Sequence, residues 1–433
     1  MIACKEWVNA LEQGKYDDVL APLYAPDGLV DGLDQVRSRT AKVVNGFCDA
    51  FAPAEREGAA LFSAPGRTEI GGNHTDHQHG HVLCGSVDLD MLACAAPNLE
   101  RVIRIRPEGY SDVKVDLEIL SPIDSEVNTS AALVRGVAAR MIELGYPVHG
   151  FDAYVASDVL VGSGMSSSAA FEVLIGNMIN HFFCGGALDA VEIAKIGQYA
   201  ENVYFGKPCG LMDQIASSVG GVVSIDFTDP AAPIVRKVDY DFTRSGHALC
   251  IVDTGSCHAD LTNDYADITR EMGAAANFFG KNVLRDVPEA EFRASLPALR
   301  NKCGDRAVLR AMHFYEDDRR AVEEAAALER GDFEDFLALC NTSGISSALH
   351  LQNTWSTSDP KQQAIPLALA VGKALLDGAG AIRVHGGGFA GTIQAFVPDE
   401  LLSEFKSGME RLLGAGACHV LRIRPQGGCV VME

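Results

Sequence analysis

Residues 159–173 read VLVGSGMSSSAAFEV, and the elements on either side make this stretch the key to the fold. Before it, Phe151, Ala153 and Val155 alternate like a half-buried strand. After it, AAFEVLIGNMINHFF (169–183) reads as an apolar helix of about four turns. The order is strand, Gly/Ser loop, helix. Small residues let backbone amides approach an anion, the helix offers its positive N-terminal end, and serine hydroxyls there can reach a metal. The plain alternative is a Ser-capped core helix behind a flexible turn.

Working outward, a helix is expected over about residues 189–204, and GKPCGLMDQIASSVGG (206–221) then opens a short one near Leu211. Asp213 falls in its first turn, where the helix dipole favours an ionised carboxylate. Glu201 ends the preceding helix among Ala, Asn, Val and Tyr, readable as a surface acid or as a Mg²⁺ ligand.

Upstream, APGRTEIGGNHTDHQHGH (64–81) gathers Arg67, Glu69, Asn73, His74, Asp76, His77, His79 and His81 in one Gly-rich segment. Packing does not explain such polar density. Zinc is disfavoured because no HExxH spacing occurs. Short Asp, Asn and His side chains suit recognition of sugar hydroxyls. Arg67 brought beside Asp213 would hold that acid ionised, ready to accept or orient a hydroxyl proton. Downstream, Gly386–Gly391 satisfies GxGxxG after a strand, but TIQAFVP behind it alternates like another strand, which rejects a dinucleotide site. No GxxxxGK[ST] loop occurs either.

The whole chain sets the bounds. It has 433 residues, 47% hydrophobic and 22% charged, enough for two or three domains without staples. A net charge of -22 repels phosphate backbones and anionic headgroups, so no nucleic-acid partner is expected. The start lacks a signal peptide and no apolar run is long enough to span a bilayer, which predicts no membrane partner and a cytoplasmic protein. Twelve cysteines without a CxxC pair read as free thiols in a reducing compartment.

Three ordered motifs, APGRTEIGGNHTDHQHG, VGSGMSSSAA and HGGGFAGTIQAF, with AENVYFGKPCGLMDQ between the second and third, give the chain a family likeness: it resembles the galactokinases of the GHMP small-molecule kinase superfamily. The likeness runs from about residue 58 to the C-terminus. It implies an α+β fold of two domains with the active site in the cleft between them. The expected division is a helical N-terminal extension over 1–58, an N-terminal domain over 59–240 and a C-terminal domain over 241–433.

The resemblance implies an ATP-dependent, Mg²⁺-requiring kinase acting on the 1-hydroxyl of galactose, as a monomer or weak homo-oligomer. Residue by residue, it puts Arg67 and Asp213 on the catalytic pair and Asn73, His74, Asp76, Gly210 and Tyr265 on sugar-binding positions. Gly162, Ser163, Gly164, Met165, Ser166, Ser167 and Ser168 fall on the phosphate loop, and Ser168 and Glu201 on the magnesium positions. One departure stands out. Where the family reads GRVNLIGEHTDY, this chain has GRTEIGGNHTDH, so Asn73 replaces the acid that meets the sugar's 6-hydroxyl. That opens two rivals: the same chemistry on galacturonate or arabinose, and a sensor that binds galactose and ATP without turnover.

Overall fold

The computed structural model describes residues 4–24, 33–51, 59–159, 164–255 and 261–433. Helices α1 (Cys4–Glu12), α2 (Asp17–Tyr24) and α3 (Leu33–Phe51) lead in. Strands β1 (Ala60–Gly71) and β2 (His81–Pro97) follow, then β3 (Val102–Pro107), β4 (Val113–Asp116), helix α4 (Ser130–Glu143) and β5 (Phe151–Ser157). Helices α5 (Ser167–Cys184), α6 (Ala190–Tyr199) and α7 (Met212–Val219) precede β6 (Val222–Asp226) and β7 (Ile234–Val238). The second half runs through β8 (His247–Asp253), α8 (Thr262–Phe278), α9 (Glu289–Ala294), α10 (Leu296–Cys303), α11 (Asp305–Glu329), α12 (Phe333–Ser346) and α13 (Ala364–Leu376). It closes with β9 (Ala381–Val384), β10 (Thr392–Pro398), α14 (Leu402–Leu413), β11 (Cys418–Leu421) and β12 (Cys429–Met432).

The strands form two sheets, giving the α+β architecture that the resemblance implies. In the first, of eight strands, the order is β12-β1-β2-β5-β3-β4, with β6 and β7 added beside β2. Strand β2 has 17 residues and, besides β1, serves two further partners, β5 through Met91–Pro97 and β6 through His81–Gly85. In the β3–β4 hairpin the burial alternates, with Val113 and Val115 inside and Lys114 and Asp116 outside. The second sheet is antiparallel, in the order β11-β8-β10-β9. One apolar cluster joins Phe62, Leu83 and Val87 of the first sheet to Leu249, Ile251 and Phe396 of the second.

The N-terminal extension is helical and packed, as its spacing suggests. Trp7, Leu11, Leu20, Val43, Val44 and Phe47 bury against Leu61, Leu92 and Ala156 of the first sheet. Helix α3 lies so close that a Cβ at Gly46 would overlap the Tyr154 ring. A polar anchor sits within this apolar contact. Asp90 of β2, 0% exposed, accepts from Tyr24 Oη at 2.7 Å, Arg39 Nη1 at 2.6 Å and Arg424 Nη1 at 3.0 Å.

The polar stretch 226–246, around the expected division at 240, contains the β6–β7 hairpin, in which Asp226 pairs with Ile234. Two features differ from the sequence reading. The last strand leaves the second half: β12 pairs with β1, Leu61 opposite Met432. Cys48 is disulfide-bonded, a correction to the free-thiol expectation, which holds for Cys84, Cys94, Cys184, Cys209, Cys250, Cys303, Cys340, Cys418 and Cys429. Among the described residues, no helix is long and apolar enough to cross a membrane.

Candidate active site

The pairing of β1 with β2 is irregular between Pro65 and Arg67, a local break of the kind that re-aims a side chain. Arg67, 7% exposed, meets Asp213 of α7 at two points, Nε to Oδ1 at 2.6 Å and Nη2 to Oδ2 at 2.8 Å. Two planar groups joined this way are fixed in orientation as well as distance. The same guanidinium donates through Nη1 to the carbonyl of Gly164, and the Arg67 backbone N–H donates to Met165 O at 3.1 Å. The Gly/Ser loop and the acid are therefore held by one arginine.

Ser166 decides between the two readings of that loop. It sits at φ 54°, in the left-handed region, immediately before α5, and caps the helix with no side-chain bond. Its hydroxyl instead bonds Asp213. Holding a non-glycine residue in this conformation costs of order 1 kcal/mol, which the surrounding contacts must offset. Burial pushes the Asp213 carboxyl up, but the Arg67 guanidinium and the Ser166 hydroxyl more than offset this and hold it below its ordinary value. Gly162 and Ser163 lie outside the described residues.

Helix α6 starts with a capping box, Asp189 and Glu192 bonding reciprocally, and continues into a π-helical turn over Ala200–Phe205. Such turns widen the helix and shift its side chains. This one carries Glu201, 2% exposed, to the start of α5, where Ser168 Oγ donates to its Oε1 at 3.0 Å. The bland reading of Glu201 as a surface acid is therefore wrong. Lys207 Nζ reaches the same oxygen at 3.2 Å, and Gln214 Nε2 donates at 3.0 Å both to Glu201 Oε2 and to Glu172 Oε2. Glu172 is 0% exposed with its Oε1 lacking a partner, and burial raises its carboxyl well above the usual range. A hydroxyl and a carboxylate in contact, backed by a second carboxyl group with an unused oxygen, form a hard oxygen set that fits Mg²⁺.

The sugar-loop residues draw in the second half of the chain. His74, at φ 59°, places Nε2 2.9 Å from the Gly387 carbonyl, so that nitrogen carries the proton. Burial lowers the ring to about 4, leaving it neutral with Nδ1 as an acceptor. Tyr265 Oη donates to Gly388 O at 2.8 Å, and its ring lies against Gly387. Gly210 lets Asp76 approach: a Cβ there would overlap Asp76 Oδ2. His74, Tyr265 and the 387–388 turn thus form one group, and Asp76 with Gly210 another, three residues before Asp213.

Asn73 is enclosed. Its Nδ2 donates to Glu69 Oε1 at 2.7 Å and Gly386 O at 2.8 Å; its Oδ1 accepts from Asn353 Nδ2 at 2.8 Å and Ser347 Oγ at 3.2 Å. With two donors and two acceptor positions all used and no exposed surface, it has no valence left for a ligand. That departs from its expected place against the sugar. Behind it, Arg383 of β9 donates to Ile70 O and, at 3.3 Å, to Glu69 Oε1.

Lys207, Glu172, Gln214 and Arg383 escaped the sequence reading. Gln214 follows Asp213 directly and Lys207 opens the GKPCG turn, so proximity to a marked residue was the available signal for both. Arg383, in a four-residue strand, offered none. Among the described residues, no group of three or more His, Cys, Asp or Glu side chains is placed to hold a metal.

Comparison with known proteins bears on this arrangement. The description "GHMP kinases N terminal domain" matches residues 132–221, and "Galactokinase galactose-binding signature" matches residues 45–97. A galactokinase of Streptomyces coelicolor is 31% identical over 339 residues, 78% of this chain and 84% of the relative. Among solved structures, Lactococcus lactis galactokinase complexed with galactose matches with a TM-score of 0.75 at 22% identity, covering 91% of this chain and 99% of that one. Mevalonate kinase of Methanococcus jannaschii matches with a TM-score of 0.61 at 15% identity, over 85% and 99% respectively. These two structures share the fold.

Proposed function

Because the chain belongs to the galactokinase family, we propose that it transfers the γ-phosphoryl group of ATP to the 1-hydroxyl of galactose, giving galactose 1-phosphate and ADP. The observation that carries this reading is the two-point hold of Arg67 on Asp213 beside the loop ending at Ser168.

Phosphoryl transfer through a loose transition state asks for alignment and charge neutralisation, with little covalent chemistry from the protein. Asp213 aligns the sugar 1-hydroxyl. A carboxylate held below its ordinary pKa is a weak base. The hydroxyl proton therefore passes to Asp213 only as the new O–P bond forms and the bond to the ADP oxygen breaks, its electron pair leaving with ADP. Arg67 keeps Asp213 ionised and offsets developing negative charge. Gly164 to Ser168, continuing from Gly162 and Ser163, receive the phosphates at the N-terminal end of α5. Ser168 and Glu201 would hold Mg²⁺, which neutralises charge on the β and γ phosphates. His74, Asp76, Gly210 and Tyr265 bind the sugar.

The test is ADP release from ATP, Mg²⁺ and galactose, with the product identified by NMR. Galactose 1-phosphate is expected. Galactose binding without ADP release would establish the sensor instead.

A further inference from the structure

Asn73 and Glu69 touch, but they are not equally committed. Every hydrogen-bonding position of the Asn73 side chain is taken. Glu69 is different. Its contacts with Asn73 and Arg383 both fall on Oε1, Oε2 has no hydrogen-bond partner among the described residues, and the side chain keeps 7% of its surface exposed.

The backbone places Glu69 on the strand face that carries Arg67. Through 67–69 the pairing of β1 with β2 is regular, Arg67 opposite Ser86 and Glu69 opposite Cys84. Residues two apart on a strand share a face, so Glu69 lies on the side from which Arg67 holds Asp213. The charges acting on it are those of Arg383, Arg67 and Asp76, and the last two are the residues read above as catalytic and sugar-binding.

We infer that Glu69, rather than Asn73, presents the acceptor that reads a hydroxyl of the sugar, and that its charge excludes sugars bearing a carboxylate in that position. This deepens the galactose reading and rests on it. The negative charge that Asn73 lacks is supplied four residues earlier on the same strand and loop, and Asn73 positions it by holding Oε1 while Oε2 keeps no partner among the described residues. A galacturonate carboxylate would meet a like charge with little water to screen it, the arrangement that discriminates most strongly against a wrong partner. Arg383 cannot rescue the acid while Glu69 stands in front of it, since its guanidinium is already directed at Glu69 and Ile70 O.

The experiment is calorimetric titration of galactose and of D-galacturonate into the full chain at pH 8.5. Burial pushes the Glu69 carboxyl up to about 7, so it is ionised there. Wild type should bind galactose at least about 100-fold more tightly than galacturonate. Glu69→Gln should shrink that ratio by about tenfold or more, with galacturonate affinity rising as Arg383 becomes available. Glu69→Asp, which keeps the charge at that strand position, should preserve most of the ratio even if Glu69→Gln folds poorly. Equal loss of both sugars in Glu69→Gln would make Glu69 structural and overturn the inference, as would loss of selectivity in Glu69→Asp. A wild type that binds galactose and galacturonate alike would overturn this inference alone. A wild type that binds no galactose would overturn the substrate reading and this with it.

Discussion

Arg67 and Asp213, 146 positions apart in the chain, face each other in plane, with donor to acceptor distances of 2.6 and 2.8 Å. The pairing ties the acid's charge to one neighbour. Asp213→Asn keeps the shape and removes the charge, and kcat should fall by about 10² or more while galactose binding persists. Steady-state kinetics beside calorimetry checks this. Near-normal turnover would remove Asp213 from the chemistry.

The same pair predicts a pH effect with a definite sign. Arg67 holds the Asp213 carboxyl below its ordinary value, so the ionised form survives to low pH and activity is lost only as pH falls through that depressed value. In Arg67→Lys the planar two-point contact is gone and burial works against a weaker partner. The acid limb of kcat against pH should move to higher pH. An unmoved limb would show that Arg67 does not set the charge of Asp213.

The Glu201 site makes a prediction about the metal. Glu201→Gln leaves a poorer ligand for a hard cation, and the Mg²⁺ concentration giving half-maximal rate should rise about tenfold. Mn²⁺ binding followed by electron paramagnetic resonance gives a reading independent of turnover. Unchanged affinity would leave Glu201 as a partner of Ser168, Lys207 and Gln214 with no role in holding the metal.

Gly210 offers a test of the sugar contact by shape. A methyl at that position collides with Asp76 Oδ2, and Gly210→Ala should raise the galactose KM by about tenfold, with the thermal midpoint nearly unchanged. If KM stays put, Asp76 does not bind the sugar.

Stability should depend on Asp90. Burial alone would raise its carboxyl, but Arg39 and Arg424 overcome this and hold it below the ordinary value. A group whose folded pKa is depressed stabilises above its unfolded pKa, and that stability is lost as pH falls through the folded value. Asp90→Asn leaves Arg39 and Arg424 facing a neutral amide and should cost about 3–5 kcal/mol, read by urea unfolding at pH 7. The gap to wild type should narrow in acid.

What was legible in the sequence was local. The loop before α5, the turn carrying Asp213 and the loop carrying His74 and Asp76 each hold their chemistry within a few residues, and those residue types have few other uses at such spacing. What was not legible came from distance. Asn73 looked available because its two acceptor-side partners, Ser347 and Asn353, lie 274 and 280 positions away. Glu201 looked ambiguous because a π-helical turn, invisible to a 3.6-residue period, decides which way it faces. The β6–β7 hairpin was hidden by an exposed strand, Ile234–Val238, whose residues are mostly open to solvent and carry little alternation.

The pairing of β12 with β1 has a bearing on how the protein is made. Leu61, Phe62 and Ser63 wait for Met432, Val430 and Cys429, which are synthesised only after the whole second sheet. Until then one long edge of the first sheet is unpaired, and an open edge is where a nascent chain meets the wrong neighbour. The leading helices, already synthesised, bury Leu61 beside that edge and guard its flank during the wait. Closing the first sheet with β12 also means that a single cut between the two sheets would not release two pieces, because a strand from beyond the second sheet is woven into the first.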